Sequence, residues 1–219
     1  MKKVIIGTAS AETVEKKSRF IATAFQIRSE AEAVSVLEKT RKQYWDARHN
    51  CYAFICGPGS ELQRFSDDGE PSGTAGRPIL DVLNGAGLTN ILVIVTRYFG
   101  GILLGTGGLV RAYSGAASAV VSGAEASGVI REISEGSRIT FSCDYKDIGR
   151  IENILAEKQI AVFDKNYGEN VTITAALRED QDSAFRKAAL DATNGSITFN
   201  AAGSVFFCSH AGHAEIYEF

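Results

Sequence analysis

The pattern of apolar and polar positions is clearest in the middle of the chain. Residues 91–95 form an uninterrupted apolar run, Ile-Leu-Val-Ile-Val, which predicts a strand buried on both faces. A helix rich in small residues is predicted from Leu109 to about Ala124. Between the two elements, five of the nine residues from 100 to 108 are glycine. The sequence therefore predicts a buried strand, a glycine-rich loop and a helix in succession.

Weaker patterns predict the other elements of the first half. Strands are expected over residues 18–27 and 48–56. Ser29 and Glu32 form a capping box, which predicts that a helix begins between these strands. A polar, turn-rich stretch follows the second strand and leads into another helix with Pro78 near its first turn.

The second half alternates strands and helices in the order βαββαβ. Strands are expected over residues 139–145, 160–164, 171–175 and 196–207. The two helices are predicted to be capped by Asp147 and by Asp180 or Asp182. This order is typical of a ferredoxin-like domain. We therefore expect two α+β domains, residues 1–128 and 129–219.

Composition indicates an ordinary globular protein with an uneven charge. The apolar content is 45% and the charged content is 22%. The net charge of −3 is divided between a first half (residues 1–128) of +2 and a second half of −5. The net charge implies no overall attraction to nucleic acid, but if one half contacts an anionic partner, we expect it to be the first half. The sequence holds neither a signal-peptide pattern nor an apolar run of about 18 residues, so we expect a cytoplasmic protein without a membrane partner.

The four cysteines and three histidines do not form a metal-ligand pattern. No CxxC pair occurs, and buried free thiols are expected. His49 and Cys51 are two residues apart on a predicted strand and share a face, which leaves a Cys–His nucleophile as the alternative to a packed cysteine. His210 and His213 are expected in a solvated C-terminal tail.

The glycine-rich loop permits two interpretations. The unpaired amides of Gly105, Thr106, Gly107 and Gly108 at the start of a helix favour an anion, and Arg97 and Arg111 flank them with positive charge. Alternatively, the glycines allow tight packing of strand against helix without any ligand. The segment alone does not decide between the two.

An acidic loop is the second candidate for chemistry. Asp67, Asp68 and Glu70 lie within four residues and are oxygen ligands of the kind that Mg²⁺ prefers. The loop lacks the full ligand series of an EF-hand, and a solvated turn is the more common role of such residues. We therefore predict no metal, no cofactor and no catalytic residue here.

Three ordered segments carry a family resemblance. They are residues 46–49 (DARH), 65–78 (FSDDGEPSGTAGRP) and 97–113 (RYFGGILLGTGGLVRAY). Together they closely resemble the IMPACT family, whose bacterial branch is usually called the YigZ family, over residues 15–125. The second half resembles the small C-terminal domain of the bacterial members.

The resemblance implies a fold and a field of activity. The first domain should adopt the α/β fold of the second domain of small-subunit ribosomal protein five, which also occurs in elongation factor G and in small-molecule kinases. The second should resemble ferredoxin-like domains of elongation factor G. Eukaryotic relatives regulate translation by binding an activator of an initiation-factor kinase, through a region that the resemblance does not cover.

Two functional hypotheses follow. The first is a non-enzymatic, translation-linked protein that contacts RNA, the ribosome or a translation factor, although the sequence lacks an aromatic RNA-stacking motif. The alternative is a nucleotide- or phosphate-dependent enzyme that uses the glycine-rich loop 100–108, although no Walker lysine is present. The glycines could also be purely structural in a protein-interaction module.

Both hypotheses predict that the charged, polar and glycine residues of the three segments form one binding surface, because such residues are unusual in a core. The expected members are Arg48, His49, Asp67, Asp68, Glu70, Ser72, Thr74, Arg77, Arg97, Tyr98, Gly105, Thr106, Gly107, Gly108 and Arg111.

Overall fold

The computed structural model describes residues 2–200, 203–210 and 213–217. It contains two compact units that divide between Arg131 and Glu132, three residues beyond the boundary expected from the sequence. Both units combine helices with sheets, so the predicted two-domain α+β class is confirmed. Within the described residues, no helix has both the length and the apolar character needed to cross a bilayer.

The first unit is built on a five-stranded antiparallel sheet in the order β2-β3-β7-β4-β5. The short strands β1 and β6 pair with each other in parallel. The elements are β1 (Lys2–Ile5), β2 (Thr8–Glu15), β3 (Ser18–Gln26), α1 (Glu30–Gln43), β4 (His49–Cys56), β5 (Leu62–Ser66), α2 (Gly76–Gly85), β6 (Leu88–Thr89), β7 (Ile91–Tyr98) and α3 (Thr106–Ala126).

Helices cover both faces of this sheet. The side chains of Val93 and Val95 in β7 join the core formed with α2 and α3, whereas Leu92 and Ile94 join the core formed with α1. This alternation explains why the strand has no polar position between residues 91 and 95. Tyr113 of α3 is fully buried among these side chains.

The second unit contains the predicted ferredoxin-like order. Its first four strands pair antiparallel in the order β11-β8-β10-β9, and α4 and α5 pack on one face through Ile151, Leu155, Phe185 and Ala189. The elements are β8 (Ile130–Cys143), α4 (Ile148–Glu157), β9 (Ala161–Tyr167), β10 (Val171–Leu177), α5 (Glu179–Ala192), β11 (Thr198–Phe199), β12 (Gly203–His210) and β13 (His213–Ile216).

The C-terminal region differs from the prediction. Instead of one strand over 196–207 followed by a tail, the chain forms β11 and then the hairpin β12–β13, in which His210 is paired with His213. β12 pairs with β8, and β13 pairs with β9. Because β8 and β9 both also pair with β10, the five strands form a closed ring of pairings in the order β8-β10-β9-β13-β12. Val205 and Phe207 of β12 are buried in a second small core, against which the partly buried Phe163 packs, and this burial stabilises the hairpin.

The predicted caps of α4 and α5 are wrong in detail. Asp147 precedes α4, but its backbone is helical rather than extended (φ −102°, ψ −9°), so its carboxylate does not cap the helix amides. Asp180 and Asp182 lie inside the first turn of α5. The cap residue is Arg178, whose backbone N–H donates to the Gln181 side chain at 3.0 Å.

Candidate functional site

The three segments that carry the resemblance lie at one edge of the first unit's sheet. In the antiparallel register His49 is opposite Arg97, and Tyr52 is opposite Ser66. The start of β4 and the ends of β5 and β7 are therefore side by side. We call this region the motif edge and define it as residues 15–19, 44–50, 66–75 and 97–106.

A buried ion pair lies under the motif edge. Arg97 Nη1 is 2.6 Å from Glu70 Oε1, and these side chains are only 8% and 4% exposed. Tyr113 Oη donates to the same oxygen at 2.8 Å, and His49 Nε2 is 4.0 Å from it. Because a buried ion pair loses the hydration of both charges, the added hydrogen bond from Tyr113 helps to compensate Glu70.

Aromatic rings enclose the guanidinium of Arg97. Its central carbon lies 5.5 Å from the centre of the Phe20 ring and 5.6 Å from that of Phe99. Its Nη2 is 3.5 Å from Ser18 Oγ, which also accepts from the backbone N–H of Gly100. Arg97 Nε has no hydrogen-bond partner among the residues that the structure describes. The arginine therefore ties β7 to the glycine-rich loop.

Cys51 is a packed thiol and not a nucleophile of a Cys–His pair. It is fully buried, and its Sγ lies 3.0 Å from the carbonyl oxygen of Asp67 and 3.3 Å from Tyr113 Oη. Burial, with smaller contributions from nearby carboxylates, raises the pKa of Cys51 to about 12. His49 instead uses Nδ1 to donate to the carbonyl oxygen of Asp68 at 2.8 Å. All four cysteines are buried thiols.

Asp67 organises the acidic loop. Its carboxylate accepts from the backbone N–H groups of Gly73, Ala75 and Gly76 at 2.8–2.9 Å. Burial by itself raises the pKa of Asp67, but the three backbone hydrogen bonds outweigh it and the pKa is lowered. The carboxylate thereby satisfies amides at the start of α2, where Ala75 offers no side-chain cap.

The three neighbouring carboxylates point to three different sets of partners. Asp68 accepts from Arg41 Nη2 and from the backbone N–H of Asn50, each at 2.7 Å, whereas Asp67 and Glu70 make the contacts described above. In the part of the chain that the structure describes, no three His, Cys, Asp or Glu side chains form a group suited to a metal. The loop is held in place by the internal hydrogen bonds of Asp67 and by the bonds of Asp68 and Glu70 to residues outside it.

The glycines of the 100–108 loop serve different purposes. A Cβ at Gly100 would lie 2.1 Å from the backbone carbon of Lys17, so the loop packs directly on the β2–β3 turn. Gly101 and Gly105 have φ values of +84° and +71°, which disfavour other residues. Gly107 is different, because a Cβ there would meet only Arg111 Nη1, at 3.7 Å. Packing therefore accounts for part of the cluster but leaves Gly107 unexplained.

The start of α3 keeps the geometry expected of an anion site. Gly105 is the N-cap residue and supplies no side-chain hydrogen bond, and the first helical bond is from Leu109 N–H to its carbonyl. Thr106, Gly107 and Arg111 are exposed. A binding role for these residues stays a prediction.

Of the other predicted site residues, Tyr98, Thr74, Arg48 and Ser72 belong to the motif edge, and Arg77 lies outside it. Tyr98 Oη donates to Asp46 Oδ1 at 2.8 Å, and Thr74 Oγ1 donates to the carbonyl of Pro71 at 2.6 Å. Arg48 and Ser72 are exposed. Arg77 pairs with Asp81 along α2 and lines a shallow groove of about 460 Å³ between α2 and α3, which Gly73 of the motif edge also lines.

Sequence reasoning missed the exposed aromatic and apolar side chains of the motif edge. Trp45 and Leu103 are each 83% exposed, and Phe99 and Ile102 are 46% and 44% exposed. Trp45 is the only tryptophan of the chain, and it directly precedes the segment 46–49. The place of Trp45 next to this segment was a signal that the sequence contained. The exposure of its side chain could not be predicted, because it depends on the conformation of the turn after α1.

Comparisons with known proteins address both units. Residues 16–121 match the family model of the Impact N-terminal domain, and residues 141–196 match DUF1949, a domain of unknown function. A solved structure described as "Crystal structure of an hypothetical protein" is 32% identical, covers 92% of this chain and 98% of its own, and has a TM-score of 0.54.

Two bacterial proteins are similar over most of their length. The IMPACT family member YvyE of Bacillus subtilis is 42% identical, over 84% of this chain and 83% of YvyE. The IMPACT family member YigZ of Escherichia coli is 36% identical, over 90% of this chain and 97% of YigZ. The three segments that carry the resemblance, the two matching domains and these relatives agree, and the chain belongs to the IMPACT family.

Proposed function

We propose that this protein is a non-enzymatic, translation-linked binding protein that contacts RNA, the ribosome or a translation factor through its motif edge. Family membership supports the link to translation, because the resemblance implies that eukaryotic members regulate translation. The proposal requires a cytoplasmic protein, as the sequence predicts.

One observation carries the choice of binding over catalysis: the reactive groups in and next to the motif edge are buried or already hydrogen-bonded within the protein. Glu70 is buried against Arg97 and Tyr113, Asp67 accepts three backbone N–H groups, and Cys51 is buried with a raised pKa. A general acid or base must reach its substrate and change protonation near the working pH. Glu70, Asp67 and Cys51 are therefore better suited to stabilising the conformation of the motif edge than to catalysis.

The exposed cations of the motif edge favour an anionic partner, although its Lys, Arg, Asp and Glu side chains sum to a net charge of zero. Lys16, Lys17 and Arg48 are exposed, and none has an ion-pair partner among the described residues. The surrounding half of the chain carries a net charge of +2, whereas the second half carries −5. Unneutralised cations on one edge attract nucleic acid at low salt and release it as salt is raised.

Sedimentation with purified ribosomes tests this proposal. We expect the wild-type protein to comigrate with ribosomal particles in a sucrose gradient at 50 mM salt and to be released at higher salt. Arg48→Glu should weaken the comigration. Arg28→Glu is the matched control. Arg28 is also an exposed arginine, but it follows the C-terminal end of β3, whereas the motif edge contains the N-terminal end of that strand. Equal behaviour of both variants, or no comigration of the wild type, would contradict the proposal.

The alternative function, a nucleotide- or phosphate-dependent enzyme, has one observation in its favour. The start of α3 presents exposed amides, and the Arg111 guanidinium lies 3.7 Å from the site of a Cβ at Gly107. Thermal unfolding with phosphate, ATP and GTP, and with sulfate as the salt control, tests it. A bound nucleotide at 100 times its Kd should stabilise the fold by about 2.7 kcal/mol, and Arg111→Ala should reduce that gain.

A further inference from the structure

We infer that the partner of the motif edge is single-stranded RNA, with bases stacked on Trp45 and Phe99 and phosphates held by Lys16, Lys17 and Arg48. The inference rests on the proposed function and names the chemical class of its partner. Its basis is the structure's placement of exposed aromatic rings beside unneutralised cations, which no continuous motif in the sequence announces.

Trp45 is placed for contact with a partner. It is 83% exposed and makes no aromatic contact within the described residues, although a tryptophan usually gains much from burial. The turn that carries it is fixed, because the neighbouring Asp46 accepts a hydrogen bond from Tyr98 Oη at 2.8 Å. A large ring held in solvent on an anchored turn is a ready stacking surface for a base.

Phe99 is a second exposed ring, and the guanidinium of Arg97 packs against it. It follows Tyr98 directly, is 46% exposed, and lies 5.6 Å from the guanidinium carbon of Arg97. Glu70 fixes that guanidinium in turn through a 2.6 Å hydrogen bond. The buried ion pair therefore orients an exposed ring, so little conformational freedom remains to be lost when a base stacks on it.

The cations lie on segments that contact the same edge. Gly100 packs on the backbone of Lys17, which brings the Lys16–Lys17 turn next to Phe99. Arg48 precedes His49, the residue paired with Arg97 across the strands. Of the nearby acidic groups, Glu12 pairs with Arg19 at 2.9 Å and Asp46 accepts from Tyr98. The exposed Glu15 has no ion-pair partner among the described residues and offsets one of the three cations.

This combination fits a single strand better than other partners. A duplex offers phosphates but hides the faces of its bases, so Trp45 and Phe99 would find nothing to stack on. A protein partner without acidic side chains would match the exposed rings but would leave the three cations without a role. A single strand presents a phosphate and a free base face at every nucleotide, and such stacking tolerates any sequence.

Tryptophan fluorescence provides a direct test, because Trp45 is the only tryptophan. We expect a single-stranded RNA of 12 nucleotides to quench its emission, and a hairpin duplex of the same composition to have little effect. Between 50 and 200 mM salt, the logarithm of the association constant should fall against the logarithm of salt with a slope of about −2, for three phosphate contacts.

Substitutions locate the surface. With fluorescently labelled RNA, Trp45→Ala and Phe99→Ala should each weaken binding by about 5- to 150-fold, the range for one lost stacking contact. Tyr167→Ala is the matched control, since Tyr167 is 59% exposed but lies in the acidic second half. Unchanged thermal unfolding of each variant shows that it is folded.

The outcomes separate this inference from the proposed function. Loss of ribosome comigration in Arg48→Glu, without any binding of single-stranded RNA by the wild type, overturns the inference and leaves the proposed function standing. Equal binding of the duplex and the single strand, or equal loss in Tyr167→Ala and Trp45→Ala, also overturns the inference. Absence of both RNA binding and ribosome comigration contradicts both.

Discussion

Glu70 shows how a single carboxylate supports an exposed surface. Its Oε1 accepts from Arg97 and Tyr113, and it balances the charge of a guanidinium that lies against Phe99. Neither partner is near it in sequence. A glutamate in a polar loop is ordinarily solvated, and only the strand register that places His49 opposite Arg97 brings this one into the interior. The sequence showed that Glu70 was present but not what it contacts.

Glu70→Gln should destabilise the fold by about 3–5 kcal/mol in urea unfolding, because the buried Arg97 loses its counter-charge. Adding Arg97→Met should recover much of this loss, since neither buried charge then remains. Glu12→Gln, at the exposed pair with Arg19, serves as the control and should change stability little. A Glu70→Gln effect no larger than that of the control would show that the pair is not buried as described.

Asp67 gives a prediction about pH. Its pKa is lowered below the ordinary 3.8, so its contribution to stability is complete at neutral pH and is lost as the pH falls through the lowered pKa. Asp67→Asn should cost about 2 kcal/mol at pH 7, because an amide lacks one acceptor oxygen for the three N–H groups. Urea unfolding from pH 7 to pH 2 should show this cost shrinking below about pH 3.8. A cost that stays constant with pH would contradict the assignment.

At the scale of elements, the sequence predicted the strands whose side chains are buried. It missed the strands that are held mainly by backbone pairing with other strands. β7 was evident because both of its faces are buried, which leaves an apolar run. The edge strands β2 and β5 were missed because they bury little and retain polar residues such as Arg64. The hairpin β12–β13 is held by pairings with β8 and β9, which are distant in sequence. Trp45 and Phe99 are likewise distant in sequence, so the sequence did not indicate that they belong to one surface.

Two glycines of one loop should respond in opposite directions. Gly100→Ala places a Cβ 2.1–2.4 Å from backbone atoms of Lys17 and Ser18, so the β2–β3 turn must move, at a cost of about 1–3 kcal/mol. Gly107→Ala meets only the Arg111 side chain and gains helix propensity, so stability should rise by up to about 1 kcal/mol. Thermal unfolding of the two variants measures both. Equal losses would mean that Gly107 is also needed for packing.

At the scale of the whole molecule, the two units have different surfaces. The first holds the Impact N-terminal domain, the motif edge and the unneutralised cations, whereas the second matches DUF1949 within a half of the chain that carries −5. Composition was sufficient to predict this charge asymmetry, and the order of predicted strands and helices was sufficient to predict two α+β domains. It was not sufficient to predict the surface, because the polar residues of the three segments divide between a buried cluster and an exposed edge.

Hydrogen exchange on the full chain, with and without purified ribosomes, tests most directly whether the motif edge is the contact surface. We expect slower exchange on binding in the backbone of residues 44–50 and 97–106, and unchanged exchange in α4 and α5 of the second unit. The Arg48→Glu variant should lose this protection, whereas Arg28→Glu should keep it. Protection confined to the second unit, or exchange that ribosomes leave unchanged throughout the chain, would contradict a translation-linked contact through the motif edge.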